Sequence, residues 1–225
     1  MVHLMFELLL FISFCLLHIY VVITNWKWSF GLIVLYMGHR LTTVRSRLII
    51  AGKAVLITGC DTGFGFHIAK RLDDMGFTVY AGVLNENSDG AEALRSRKSQ
   101  NLHVIKLDVT KEEDVNKSLE YVTSNNKADL WAVVNNAGIN MPGDVELATV
   151  DQYKKCAEVN LYGPIRVIRA FLPLIRRSKG RIVNVSSVMG RYSSPNQSMY
   201  HVTKHGIETM TDSLRMENFD EEDPE

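Results

Sequence analysis

Two side chains four residues apart, Tyr200 and Lys204, carry the first chemical signal in this chain. On a helix that spacing puts both on one face. A tyrosine with its ordinary pKa near 10 is a poor base at neutral pH, but a neighbouring ammonium favours the phenolate and makes it a usable one. Ser187 ends an apolar run, where its hydroxyl could hold a substrate oxygen, and Asn160 lies in a helical stretch where it could anchor a proton-relaying water. Together these groups suit proton transfer to and from an oxygen. Taken singly, each has an ordinary explanation: a strand-end serine, a half-buried tyrosine, a solvated lysine, a helix-capping asparagine. A second signal is the glycine-rich turn TGCDTGFG at 58–65, directly after the apolar run KAVLIT. Glycines between a strand and a helix let the backbone turn tightly and approach a pyrophosphate, whose charge meets the helix N-terminus. The spacing is GxxxGxG rather than GxGxxG.

The elements that must position these groups follow from the hydrophobic pattern. Short β-rich runs are expected as strands at Lys53–Thr58, Phe77–Gly82, Leu102–Leu107, Leu130–Asn135 and Arg181–Val185. Helical spacing falls between them, at Phe66–Met75 with Gly76 as its terminating glycine, at Ala91–Ser99, after Thr110, over Val150–Arg177 and over Ser198–Met216. Thr110 and Glu113 have the spacing of a capping box. Strands alternating with helices predict an α/β fold, a Rossmann-like doubly wound parallel sheet with helices on both faces. No internal repeat or low-complexity tract interrupts the series.

With the motifs in this order the sequence resembles the short-chain dehydrogenase/reductase family from Lys53 to about Asn218. The matching segments are TGCDTGFG, LDV at 107–109, NNAG at 135–138, the asparagine of EVNLYG, Ser187, and YHVTK at 200–204. The wording TGCDTGFG, FLPLIRRSKGRIVNVSS and TDSLRMEN is most similar to the branch holding 3-hydroxybutyrate, retinol and 17β-hydroxysteroid dehydrogenases. The resemblance implies hydride transfer between a nicotinamide and a carbonyl or alcohol. It implies Tyr200 as general acid/base, Lys204 as the group that favours its phenolate and holds the nicotinamide ribose, Ser187 as the carbonyl-polarising hydroxyl, and Asn160 in the proton relay. Gly59, Asp61, Thr62, Gly63, Phe64 and Gly65 would form the phosphate turn. Asp108 and Val109 would contact the adenine, and Asn135, Asn136, Ala137 and Gly138 would shape the cofactor floor. The stretch Ala81-Gly82-Val83-Leu84-Asn85-Glu86 holds no base for a 2′-phosphate, so NAD is favoured over NADP. In bacterial members resembling hydroxybutyrate dehydrogenase, polar or basic side chains stand two after the serine and three before the tyrosine; the resemblance puts Met189 and Gln197 there, so part of that carboxylate clamp is missing and a neutral steroid or retinoid alcohol is favoured over D-3-hydroxybutyrate.

The 225 residues carry 25 Lys+Arg against 25 Asp+Glu, which excludes a global basic field for nucleic acid. Cys15, Cys60 and Cys156 share no disulfide or zinc spacing, and His201 and His205 have no metal-ligand company, so no metal is expected. Leu4–Thr24 is an apolar run of about 20 residues, enough for one transmembrane helix, followed by Trp26, Trp28 and Tyr36 as interface-seeking aromatics. The expected organisation is a membrane anchor with its juxtamembrane segment (1–50), the dehydrogenase domain (51–218) and an acidic tail (219–225). Lys27, Arg40, Arg45, Arg47 and Lys53 all follow the apolar run, which favours a domain on the cytosolic side, and the lack of transit-peptide chemistry favours the endoplasmic reticulum, with a mitochondrial membrane as the alternative. The family pattern continues with further C-terminal strands and a substrate lid, expected to be missing here. That leaves a second class of reading, an inactive isoform acting as a binding or dimerisation partner. A homodimer through the long helices is a further expectation.

Overall fold

The computed structural model describes residues 12, 13, 16, 19, 20, 34–38, 49–125 and 128–219. The chain divides into two units, Met1–Ile49 and Ile50–Glu225. In the first unit residues 12, 13, 16, 19, 20 and 34–38 are helical. Among the described residues no helix is long and apolar enough to cross a membrane, and most of the Leu4–Thr24 run lies outside them.

Among its described residues the second unit is built on five parallel strands: β1 (Lys53–Ile57), β2 (Thr78–Val83), β3 (Leu102–Lys106), β4 (Asp129–Asn135) and β5 (Arg181–Asn184). Their order in the sheet is β3-β2-β1-β4-β5. The connecting helices are α1 (Gly63–Asp74), α2 (Asp89–Arg95), α3 (Glu112–Ser124), α4 (Val150–Ala157), α5 (Gly163–Arg177) and α6 (Ser198–Phe219). Covering both faces makes the inner strands continuously apolar, because every side chain of a central strand then meets a helix. The period of two divides them cleanly. Leu56, Tyr80, Val133, Phe171 and Ile175 belong to one buried cluster, and Val55, Ile57, Val79, Ala69 and Leu94 to the other.

Helix ends follow local chemistry. Beyond α1, Gly76 takes φ +91 and donates its N–H to Asp73 O, while the Phe77 N–H reaches Leu72 O. Those two bonds close the helix as a left-handed glycine cap does. The expected capping box at Thr110 does not form: its hydroxyl and amide both donate to Asp108 Oδ1, and Lys111 caps α3 without a side-chain bond. A capping box forms instead at Thr149 and Gln152, at the start of α4. The expected helix over Val150–Arg177 is broken between α4 and α5 by a π turn at Glu158–Tyr162. The short helix α2 begins and ends earlier than the predicted Ala91–Ser99, because Ser88 accepts the Ala91 N–H and starts it.

In this sheet the chain leaves β1 toward β2 on one side, and β4 lies on the other. Strand order therefore reverses between β1 and β4, and in open α/β sheets ligands bind beyond the C-terminal ends of the strands at such a switch point.

Candidate active site

Two loops meet at that switch point, and hydrogen bonds make them one floor. Thr58 directly follows β1, and its Oγ1 accepts the N–H groups of both Asn136 and Ala137 at 3.0 Å. The Asn136 side chain returns the contact, donating Nδ2 to Thr58 O and Gly59 O at 2.9 and 3.1 Å. Approach this close requires glycine: a Cβ on Gly59 would lie 2.8 Å from Ala137 Cα, and one on Gly65 would lie 2.3 Å from Gly59 O. Sequence reasoning passed over Thr58, although a hydroxyl that can accept two amides just before the glycine turn was a readable signal.

Thr62 starts α1 without a side-chain cap, and no acidic residue stands in its first turn. The free N–H groups and positive end of that helix suit an anion. Gly63, at φ +59, would carry a Cβ into open space, and Phe64 is 77 % exposed. The residues present therefore fit a dinucleotide pyrophosphate: an uncapped helix start, an open surface above Gly63, and a rigid floor beneath. Asp61 points elsewhere, its two carboxylate oxygens accepting the Leu84 and Asn85 N–H groups beyond β2. Cys60 is fully buried below the turn, and burial, with the charge of Asp61 beside it, pushes its thiol pKa far up.

Asp108 and Val109 follow β3 and separate in role. Val109 is buried in the core, where a Cβ on Gly163 would strike it. Asp108 keeps some exposure. Burial opposes its ionisation, but the bonds from Thr110 and the nearby Lys111 and Lys106 hold its carboxyl below the ordinary aspartate value. In the floor, Asn135 donates to Asn184 Oδ1 across β4 and β5, and Asn184 donates to Thr211 on α6.

The π turn holds Asn160, 2 % exposed. Its amide grips the Ile139 peptide from both sides, Oδ1 accepting the N–H and Nδ2 donating to the carbonyl, each at 2.8 Å. Nδ2 also lies within reach of Thr203 Oγ1 at 3.1 Å and Cys156 Sγ at 3.4 Å. The Asn160 side chain thus fixes the loop after β4 against α4 and α6. Gly138 keeps that junction tight, since a Cβ there would sit 3.3 Å from Asn160 Oδ1 and 3.9 Å from Lys204 Nζ.

Tyr200 and Lys204 share one face of α6, with the ammonium 5.5 Å from the ring centroid. Lys204 is 5 % exposed and donates to Val185 O at 2.7 Å, in the segment that leads to Ser187. Burial lowers its pKa, and the Cys156 thiol opposes that weakly. Ser187 caps a 3₁₀ turn at Val188–Gly190, its Oγ accepting the Met189 N–H at 3.2 Å. A hydroxyl that accepts there keeps its own proton to donate. The structure joins Asn160 to α6 through Thr203 and Lys204 to the end of β5 through Val185 O, with Tyr200 beside Lys204 and Ser187 two residues beyond Val185. His201, also buried, approaches Ser194, and His205 bonds to His201 O; among the described residues no group of side chains could hold a metal.

A doubly wound parallel sheet, an uncapped helix start at its switch point and a buried lysine beside a tyrosine place the chain among Rossmann-like α/β folds. The short chain dehydrogenase profile matches residues 53–221, and the chain belongs to that family. It is 51% identical over 173 residues to the D-beta-hydroxybutyrate dehydrogenase, mitochondrial, of Bos taurus, covering 75% of this chain and 50% of that protein. It is 44% identical over 187 residues to the estradiol 17-beta-dehydrogenase 2 of Mus musculus, covering 82% of this chain and 48% of that protein. Among solved structures, a gluconate 5-dehydrogenase from Burkholderia cenocepacia J2315 in complex with NADP and tartrate superposes with a TM-score of 0.68 at 25% identity, over 76% of this chain and 67% of that one. The chain spans about half the length of the curated relatives it matches.

Proposed function

We propose that this chain is a membrane-anchored oxidoreductase acting on the hydroxyl or keto group of a small molecule, with NAD as its hydride partner. The observation that carries the reading is the set of Ser187, Tyr200 and Lys204 at the edge of β5 and α6, beside a glycine turn suited to a pyrophosphate. Gly59, Thr62, Gly63, Phe64 and Gly65 would hold the phosphates, Asp108 the adenine end, and Asn136 to Gly138 the nicotinamide end. When bound, the dinucleotide would supply the acceptor for the hydride that leaves the carbinol carbon in oxidation, and its donor in reduction. Ser187 donates its free O–H to the substrate oxygen and orients it. Tyr200 takes the hydroxyl proton in oxidation and returns it in reduction. Lys204, desolvated and fixed on Val185 O, places a positive charge by the tyrosine where low dielectric makes it count. Asn160 holds the Ile139 loop so that the floor and the proton relay keep their places.

For the substrate we infer a lipophilic secondary alcohol of the steroid or retinoid class. A hydroxy acid needs a cation near the reacting carbon. Met189 and Gln197 supply none, and Arg191, 70% exposed, is paired with Glu208 at 2.7 Å. Val188, Tyr192, Val145 and Leu147 are exposed apolar side chains on the segments after Ser187 and β4, which a bridge between Gly143 and Gln197 brings together. The second reading is D-3-hydroxybutyrate, favoured by the 51% identity to the bovine enzyme of that name. Comparing kcat/KM for a steroid alcohol, retinol and 3-hydroxybutyrate on the detergent-solubilised chain separates them. Preference for either lipid alcohol supports the first reading, and turnover of hydroxybutyrate alone overturns it.

The anchor rests on the apolar Leu4–Thr24 run and on the basic residues that follow it. We place the catalytic domain on the cytosolic side of the endoplasmic reticulum. The mitochondrial location in the bovine relative's name favours the alternative membrane. A homodimer through the long helices belongs to the same proposal, and sedimentation of the detergent-solubilised chain tests it.

A further inference from the structure

Asp61 stands in the glycine turn, yet its carboxylate faces away from the start of α1. It reaches across to the chain leaving β2, Oδ2 accepting the Leu84 N–H at 2.8 Å and Oδ1 accepting the Asn85 N–H at 2.9 Å. The approach is built into the backbone. A Cβ on Gly90, in the first turn of α2, would lie 1.8 Å from Asp61 O, so α2 rests directly on this residue. The cations along the same loop are turned to its carbonyls, Lys106 to Leu84 O and Arg95 to Glu86 O, with Arg95 also 3.5 Å from the Glu86 carboxylate.

The C-terminal end of the second strand is where the adenosine ribose of a dinucleotide lies in a doubly wound sheet. A 2′-phosphate there needs donors and positive charge. The two amides that would serve are already taken by a carboxylate, which adds a negative charge at the same spot. A free 2′-hydroxyl meets no such conflict, because it can donate to a carboxylate lone pair. We propose that Asp61 is the specificity-determining residue that admits a dinucleotide with a free 2′-hydroxyl and rejects one with a 2′-phosphate. This inference rests on the dinucleotide reading of the site and assigns the cofactor choice within it.

The test uses equilibrium binding without hydride chemistry: calorimetric titration of the full chain in detergent with 5′-AMP and with 2′,5′-ADP. Wild type is expected to bind 5′-AMP, and 2′,5′-ADP weaker by roughly tenfold or more, the scale of an uncompensated like charge held close by. Asp61→Ser, which frees both amides and removes the charge, should bring the ratio of the two affinities to about one or reverse it. Asp61→Asn, nearly isosteric, should fall between and serves if the serine variant does not melt cooperatively. Equal affinity of wild type for the two nucleotides, or an unchanged ratio in both variants, overturns the assignment. Failure of wild type to bind 5′-AMP removes the dinucleotide reading itself, and the assignment with it.

Discussion

At the scale of single residues, the site depends on charges and small volumes that the fold holds where water would not. Lys204 shows the cost. Burial lowers its pKa, so the folded state binds its proton less tightly than the unfolded chain does. In the window between the lowered folded value and the ordinary lysine value, the unfolded chain carries more protons, and stability rises with pH. The unfolding free energy of wild type minus that of Lys204→Met is therefore expected to increase as pH climbs through that window, measured by urea titration. A difference that stays flat would contradict the desolvated ammonium. Gly65 makes the complementary point with volume. A Cβ there would stand 2.3 Å from Gly59 O, so Gly65→Ala is expected to lose about 1–3 kcal/mol and weaken 5′-AMP binding together. The thiols of Cys60 and Cys156, both 0% exposed and both raised in pKa first of all by burial, should resist a thiol reagent until the chain unfolds.

At the scale of elements, the alternation of strands and helices is legible because each signal is local and repeated. The runs KAVLI and TVYAGV are buried on both faces, and Gly76 closes α1 as its position suggests. The glycine turn and the Tyr200/Lys204 pair are legible for the same reason, being short motifs with fixed geometry. What escapes the sequence is the result of competition between distant partners. Thr110 has the spacing of a capping residue, but Asp108 takes its hydroxyl. Nothing in EVNLY announces a π turn; it forms where Asn160 grips Ile139 across 21 residues. Asp61 reads as part of the phosphate turn, and only the return of β2 beside β1 brings it the Leu84 and Asn85 amides. Packing at this scale is tested at Phe171, 0% exposed between α5 and the sheet, where Phe171→Ala is expected to cost about 3–5 kcal/mol in a denaturant titration.

At the scale of the whole molecule, β5 is the edge strand of the sheet among the described residues, and its residues alternate between exposed and half-buried, with Val183 44% exposed. The proposed membrane topology can be tested at three Asn-x-Ser sequons. Asn116 is exposed on α3 and Asn196 is exposed before α6, whereas Asn184 is bound to Thr211. A cytosolic domain keeps Asn116 and Asn196 unmodified, so glycosidase treatment of the protein from its native membrane is expected to leave its mass unchanged. The claim that joins all three scales is that Tyr200, held beside Lys204 on α6, moves the proton of an alcohol at this site. The most direct test is NADH formation by the detergent-solubilised chain with a steroid alcohol, retinol and 3-hydroxybutyrate in parallel, for wild type and Tyr200→Phe. Turnover of at least one alcohol, falling by roughly 10²–10⁴-fold in Tyr200→Phe while 5′-AMP binding is retained, is the expected result. Turnover that Tyr200→Phe leaves unchanged, or no turnover of any of the three, would contradict it.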